Sequence, residues 1–246
     1  MLDLYLDPSK LEIGCDEAGR GCLSGPVYAG AVLLPPLFQN ELLNDSKKLS
    51  EKHRYELRSI IEREAIAWGV GTCTAEEIDD INILNASILA MHRATDQLLE
   101  RLRLLREAFD NGDSNGILKD RGLVDVCGQV IGQGWNREYL NRSISLLIDG
   151  NRFKSYAKDI SFTTVIKGDG KLMPIAAASI LAKTYRDDYM RMLDEKYPQY
   201  NWMKNAGYPT KQHRQAIRDF GITPYHRMSF RLLPEVTVQQ LPFVED

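Results

Sequence analysis

The sequence predicts an α/β fold. Short apolar runs typical of strands alternate with longer stretches that have helical periodicity, and proline, glycine or aspartate marks the ends of the runs. The chain has 246 residues, of which 43% are hydrophobic and 26% are charged. This composition fits one compact domain with a modest appendage, and it excludes the disordered and fibrous classes.

The first part of the chain contains three predicted strands. Leu11–Cys15 and Tyr28–Leu34 are apolar runs joined by a glycine-rich turn, and the second run ends at two prolines. Ala67–Cys73 is the third strand. A charged helix is expected over about 50–64, with Ser50 as its N-cap.

A long helix is the strongest prediction from periodicity. Apolar residues and one threonine recur at spacings of three and four, which indicates a helix with one buried stripe. A core helix is favoured over a coiled coil with a partner. The stripe consists of Leu84, Ile88, Met91, Thr95, Leu98, Leu102 and Leu105.

The second part repeats the alternation after a segment of about 107–141 that resembles an insertion. Ile144–Ile148 is a strand buried on both faces and ends at Asp149 and Gly150. Phe162–Ile166 is the next strand. Pro174 fits a first helical position, and the helix is expected to continue to Tyr197.

Composition excludes several classes of protein. No apolar run approaches the roughly 20 residues of a membrane span. The N-terminus carries acidic residues where a secretory signal has basic ones, so a cytoplasmic location is expected. Cys15, Cys22, Cys73 and Cys127 show no C-x-x-C spacing, which argues against a zinc site and a disulfide framework.

The net charge of −3 hides an uneven distribution. Residues 152–231 contain 15 Lys and Arg against 7 Asp and Glu, a surplus of +8, whereas the rest of the chain carries −11. This basic region predicts either a contact with a polyanion or simply a solvated charged face.

Four carboxylates are the candidate catalytic residues. Asp16 and Glu17 end a strand, and adjacent acids there are favourable when a cation neutralises them. Asp149 ends another strand, where an α/β sheet forms its ligand crevice. Asp187 lies three turns into the predicted helix, on the same face as Lys183. Each acid also has an alternative explanation. Asp16 and Glu17 could be an acidic pair on the surface, Asp149 could form a turn or a helix cap, and Asp187 could pair with Lys183 on an exposed helix face.

Carboxylates without histidine or cysteine match the preference of Mg²⁺ and Mn²⁺ for oxygen ligands. Two such ions about 3.5–4 Å apart can promote in-line displacement at a phosphate, one by activating water and the other by stabilising the leaving 3′ oxygen. The residues therefore predict metal-dependent phosphoryl chemistry.

The sequence also resembles the type 2 ribonucleases H, specifically the bacterial ribonuclease HII branch. The resemblance spans nearly the whole chain, in the order of the family. It rests on Cys15–Val27, Asp45–Ser50, Leu147–Arg152, Lys167–Asp169, Ala176–Lys183 with Arg186 and Asp187, and Pro224–Phe230. The run from Trp202 to Gly207 departs from the family pattern.

The resemblance implies a ribonuclease H-like fold: a five-stranded mixed sheet flanked by helices, with a helical C-terminal extension. The catalytic core is expected over 1–190 and the extension over 191–246, in one continuous domain and a monomer. The resemblance assigns four residues as ligands of Mg²⁺ or Mn²⁺: Asp16, Glu17, Asp149 and Asp187.

The resemblance also implies how a substrate is recognised. Gly19, Arg20 and Gly21 would recognise the ribose 2′-hydroxyl through the backbone, and Tyr208 would stack on the following deoxyribose. Lysines that would contact phosphates without reading bases are Lys47, Lys48 and Lys183.

The expected activity is endonucleolytic cleavage of the RNA strand of RNA/DNA hybrids, and of duplex DNA on the 5′ side of an embedded ribonucleotide. A ribonuclease HIII-like nuclease, which needs a run of ribonucleotides, and a non-catalytic hybrid-binding module are the alternatives. The tail from Gln240 to Phe243 resembles peptides that dock on a sliding clamp, although such strings also occur in disordered termini.

Overall fold

A computed structural model of the chain describes residues 2–43, 49–111, 135–157, 160–234 and 241–243. Its centre is a five-stranded sheet of strands β1 (Leu11–Ala18), β2 (Val27–Leu33), β3 (Ala67–Cys73), β4 (Ile144–Asp149) and β5 (Ser161–Val165). The order is β3-β2-β1-β4-β5. Strand β2 is antiparallel to both β1 and β3, whereas β4 runs parallel to β1 and β5. The predicted five-stranded mixed sheet is confirmed.

One face of the sheet is covered by the long helix α2 (Ala75–Asp110). Its stripe from Leu98 to Leu105 packs with Leu11 and Ile13 of β1 in the largest apolar core. The helix starts earlier than the stripe predicts. Thr74 and Glu77 form a capping box at its N-terminus, and the helix is kinked at Asn82, where φ is 66°.

The other face is covered by α1 (Glu51–Glu64) and α4 (Met173–Lys196), with Ser50 as the predicted N-cap of α1. The backbone of α4 lies directly on the sheet. A Cβ at Gly14 would come within 2.1 Å of the Pro174 carbonyl carbon, and one at Gly30 within 2.4 Å of the Ala178 oxygen. These two glycines therefore allow the close approach of the helix that carries Asp187.

The C-terminal region is helical, as predicted, and has its own core. Short helices α5 (Trp202–Asn205) and α6 (Lys211–Phe220) follow α4, and α3 (Arg137–Leu140) lies between α2 and β4. Tyr200 and Trp202 are stacked and fully buried between α4 and α6. Because α4 is continuous through residue 190, the sheet and the C-terminal region share one helix.

Two further expectations concern the whole chain. None of the described helices combines the length and hydrophobicity of a membrane span. Cys15, Cys22 and Cys73 are buried and free, while Cys127 and most of the expected insertion lie outside the described residues.

Candidate active site

The strand register brings two of the predicted carboxylates together. In the parallel pair of β1 and β4, Cys15 lies beside Ile148. The next residues, Asp16 near the end of β1 and Asp149 at the end of β4, therefore lie side by side. Asp149 Oδ1 accepts a hydrogen bond of 2.7 Å from the Gly168 N–H, which fixes the carboxylate against the loop after β5.

Asp16 is a buried carboxylate that is flanked by other acids. Its side chain is only 5% exposed. Burial raises its pKa well above the usual range, and the charges of Glu17 and Asp149 raise it further, while a hydrogen bond with Ser179 of α4 opposes them. The mutual repulsion shows that at least three of the four acids lie near one another.

Glu17 and Asp187 are partly compensated by arginines. Burial raises the pKa of Glu17, and Arg20, whose Nη1 lies 3.0 Å from the carboxylate, opposes the shift. Burial also raises the pKa of Asp187, against the effect of Arg54 at 3.9 Å. Both acids thus have a cationic neighbour in the absence of metal.

A cleft of about 450 Å³ lies at this edge of the sheet. It contains Glu17 and Asp187 together with every predicted substrate-binding residue that the structure describes, and Asp16 and Asp149 lie beside it. The lining residues are Glu17, Ala18, Gly19, Arg20, Gly21, Arg54, Lys183, Arg186, Asp187 and Tyr208. Lys47 and Lys48 lie outside the described residues, as does Gln240.

Tyr208 of the C-terminal region lines the cleft. Its side chain is 48% exposed. The ring lies beside Gly21, where a Cβ would be 4.0 Å from Cε1. His213 Nδ1 donates to the Tyr208 carbonyl at 2.9 Å, and Trp202 Nε1 donates to His213 Nε2 at 3.0 Å.

Sequence reasoning missed four residues that shape the site. Arg54 and Arg186 line the cleft, Arg227 lies behind the Gly19–Gly21 loop, and His213 supports Tyr208. Arg54 lies one turn after the Ser50 cap on a helix that was predicted only as a connector. Arg186 and Arg227 lie within motifs that carry the family resemblance, but no local pattern indicates the role of any of the four, because that role depends on contacts between distant segments.

The carboxylates of the site are oxygen ligands of the kind that a hard divalent cation prefers. The charges of Asp16, Glu17 and Asp149 repel one another. Among the described residues, however, no three His, Cys, Asp or Glu side chains form a complete metal-binding group. Metal binding would therefore rely on small side-chain movements and on oxygen ligands from water or substrate.

Comparisons with known proteins identify the family of the chain. A family model described as "Ribonuclease HII" matches residues 13–106 and 141–233. A curated Ribonuclease HII of Phocaeicola vulgatus is 54% identical over 99% of this chain and 100% of its own length. That of Bacteroides thetaiotaomicron is 56% identical over 95% of this chain and 96% of its own length.

Solved structures share the fold at low sequence identity. The ribonuclease HII of Archaeoglobus fulgidus, solved in complex with PCNA, is 21% identical with a TM-score of 0.58 and covers 93% of this chain and 98% of its own. A ribonuclease HIII described as "Bst" and solved with Mn²⁺ is 15% identical with a TM-score of 0.55, covering 87% of this chain and 63% of its own. The family match and the full-length relatives identify the chain as a member of the ribonuclease HII family, an enzyme of the type 2 ribonuclease H class.

Proposed function

We propose that this protein is an endonuclease that cuts the RNA strand of RNA/DNA hybrids and nicks duplex DNA on the 5′ side of an embedded ribonucleotide. The observation that carries the proposal is the joint placement of Glu17, Asp187, the Gly19–Gly21 loop and Tyr208 in one cleft. A cleft with acids on one side and a backbone-lined loop with an aromatic ring on the other suits both phosphate chemistry and sugar recognition.

Asp16, Glu17, Asp149 and Asp187 would hold Mg²⁺ or Mn²⁺, in a two-ion arrangement. When bound, the ions supply the activated water and the charge stabilisation that the reaction needs, leaving 5′-phosphate and 3′-hydroxyl ends. Arg20 and Arg54 hold Glu17 and Asp187 before the metal binds, and both arginines lie where a phosphate would enter.

Binding of the duplex would depend on the cationic side chains of the cleft. Lys183 and Arg54 line it, and they neutralise backbone phosphates without reading bases. The basic region of residues 152–231 contributes less to this surface than its charge suggests. Arg186 and Arg227 are only 2% and 0% exposed, and their guanidinium groups are used by main-chain carbonyls.

The experiment is cleavage of a DNA duplex with one ribonucleotide, with and without Mg²⁺ or Mn²⁺. The wild type should cut on the 5′ side of the ribonucleotide only with metal, and Asp149→Asn should not cut. Asp187→Asn and Asp188→Asn form a matched pair, because Asp188 faces Arg58 and Tyr55 and does not line the cleft. Only Asp187→Asn should abolish cleavage.

Two outcomes would replace the proposal. An intact single-ribonucleotide duplex, with an all-RNA hybrid cut instead, would indicate a ribonuclease HIII-like enzyme. Binding that is unaffected by metal and never followed by cleavage would indicate a hybrid-binding module.

If the protein has this activity and is located in the cytoplasm, it would act in ribonucleotide excision repair and in the removal of RNA primers.

The C-terminal tail would dock on a sliding clamp. Phe243 is 54% exposed, while the main chain beside it is bridged to Ile222 and Leu241 packs against the C-terminal core. An aromatic side chain is thus presented outward from an anchored backbone. Replacement of Gln240 and Phe243 by Ala should abolish capture of the clamp, and unchanged capture would refute the docking.

A further inference from the structure

The Gly19–Gly21 loop is held from behind by a buried arginine. Arg227 is 0% exposed, and its guanidinium donates to three main-chain carbonyls: Gly19 at 2.7 Å, Arg20 at 2.9 Å and Gly25 at 2.8 and 3.0 Å. Burial lowers the pKa of Arg227 to about 10, so the group stays charged at neutral pH. A buried charge of this kind is costly, and it persists only when its donors are well matched.

The backbone that carries Arg227 is itself fixed. The Arg227 N–H donates to the Leu23 carbonyl at 2.9 Å, and Gly25 N–H donates to the Tyr225 carbonyl at 2.8 Å. On the other side, the Asp79 carboxylate of α2 accepts from the N–H groups of Met228 and Ser229 at 2.7 and 2.9 Å. The guanidinium therefore has a fixed position relative to the sheet and to α2.

A second arginine confines the loop from another direction. Arg186 of α4 is 2% exposed and donates to the carbonyls of Ser24, Pro26 and Ala206. A Cβ at Gly19, where φ is +94°, would lie 2.1 Å from Arg186 Nε. The loop has little room to move between these two groups.

The carbonyl contacts determine where the N–H groups of the loop point. In a planar trans peptide, the C=O and the following N–H point in opposite directions. Because the Gly19 and Arg20 carbonyls point at Arg227, the N–H groups of Arg20 and Gly21 point to the opposite side. Arg20 and Gly21 line the cleft whereas Arg227 does not, which supports N–H groups that face the cleft.

We infer that Arg227 is a positioning residue for substrate selection: it sets the peptide planes of the Gly19–Gly21 loop so that their N–H groups face the sugar-phosphate backbone at a ribonucleotide. This inference rests on the proposed function. Lysine cannot replace the group, since one ammonium does not span three carbonyls held by a planar guanidinium. Loss of Arg227 removes the constraint without touching a carboxylate of the site.

The test compares two constants for the same duplex. The KM is measured for a duplex with one ribonucleotide, and the inhibition constant is measured for the all-DNA duplex of identical sequence, both with Mg²⁺. In Arg227→Lys, the preference for the ribonucleotide should fall at least about tenfold, equivalent to one charge-assisted hydrogen bond. If the lysine variant does not fold, Arg227→Gln is used instead, since glutamine is smaller and keeps one NH2 group. Its preference for the ribonucleotide should also fall.

Arg106→Lys is the matched control. Arg106 also donates to a main-chain carbonyl, that of Leu140, but it lies on α2 away from the cleft. Its preference should equal that of the wild type. Partial unfolding lowers the amount of active enzyme but leaves both constants unchanged. The ratio of the inhibition constant to the KM therefore separates an effect on loop position from an effect on protein stability.

The possible failures are distinguishable. A wild type that shows no preference for the ribonucleotide refutes the proposed function itself. A wild type with a clear preference that Arg227→Lys and Arg227→Gln retain, even with a reduced kcat or a lower Tm, overturns the inference about Arg227.

Discussion

Lowering the pH should destabilise the C-terminal region through His213. The imidazole is 0% exposed and is satisfied as a neutral group. The Trp202 indole can only donate, so Nε2 accepts and the proton is on Nδ1, which donates to the Tyr208 carbonyl. Protonation of Nε2 would break the bond from Trp202. Burial lowers the pKa of His213 from 6.5 to about 4.

The change in the free energy of unfolding with pH follows from proton linkage. Between these two pKa values the unfolded chain binds the proton and the folded chain does not, so the free energy of unfolding falls as the pH falls. From pH 7 to pH 5, His213 should contribute a loss of about 2 kcal/mol. His226, whose pKa is lowered to about 3, acts in the same direction.

The assay is urea unfolding at pH 7 and pH 5, followed by the fluorescence of the three tryptophans, of which Trp202 is hydrogen-bonded to His213. Wild type is compared with His213→Gln, which cannot be protonated, and with His53→Gln, which replaces an exposed histidine of α1. The loss between the two pH values should be about 2 kcal/mol smaller in His213→Gln than in the other two proteins. An equal loss in all three would refute the reasoning.

Four further perturbations test the site and its support. Asp16→Asn removes a buried, repelled charge, so it should raise the free energy of unfolding measured in EDTA while lowering kcat at least about a hundredfold; a destabilised variant would contradict this. Gly30→Ala should cost about 1–3 kcal/mol in urea unfolding because its Cβ meets the backbone of α4, whereas Gly170→Ala, with nothing within 4 Å, should be neutral. Tyr208→Ala should reduce the preference for a single-ribonucleotide duplex over all-DNA about tenfold in competition assays, and an unchanged preference would exclude stacking. Lys183→Ala should weaken duplex binding at every sequence and reduce the slope of log K against log salt by about 1, and a sequence-dependent loss would count against a phosphate contact.

The local elements and the residue types of the site could be predicted from the amino-acid sequence alone. Ala67–Cys73 was predicted at its observed bounds, and Ser50 was predicted as a cap, because alternation and capping depend on neighbouring residues. The capping box of Thr74 and Glu77 was also legible in the sequence and would have placed the start of α2 correctly. The fold family and the site residues came from motifs that keep their order along the chain.

How these residues come together depends on the packing of the whole chain. The register that sets Asp16 beside Asp149, and the burial that raises the pKa of Asp16, join segments more than 130 residues apart. Arg227 lies in the Pro224–Phe230 motif, but the motif did not reveal its role, and His213 had no signal, because an arginine or histidine has the same local pattern on a surface as in an interior. Periodicity records which face of an element is apolar, whereas hydrogen bonds to distant carbonyls depend on how the elements pack, and that packing is absent from any short stretch of sequence.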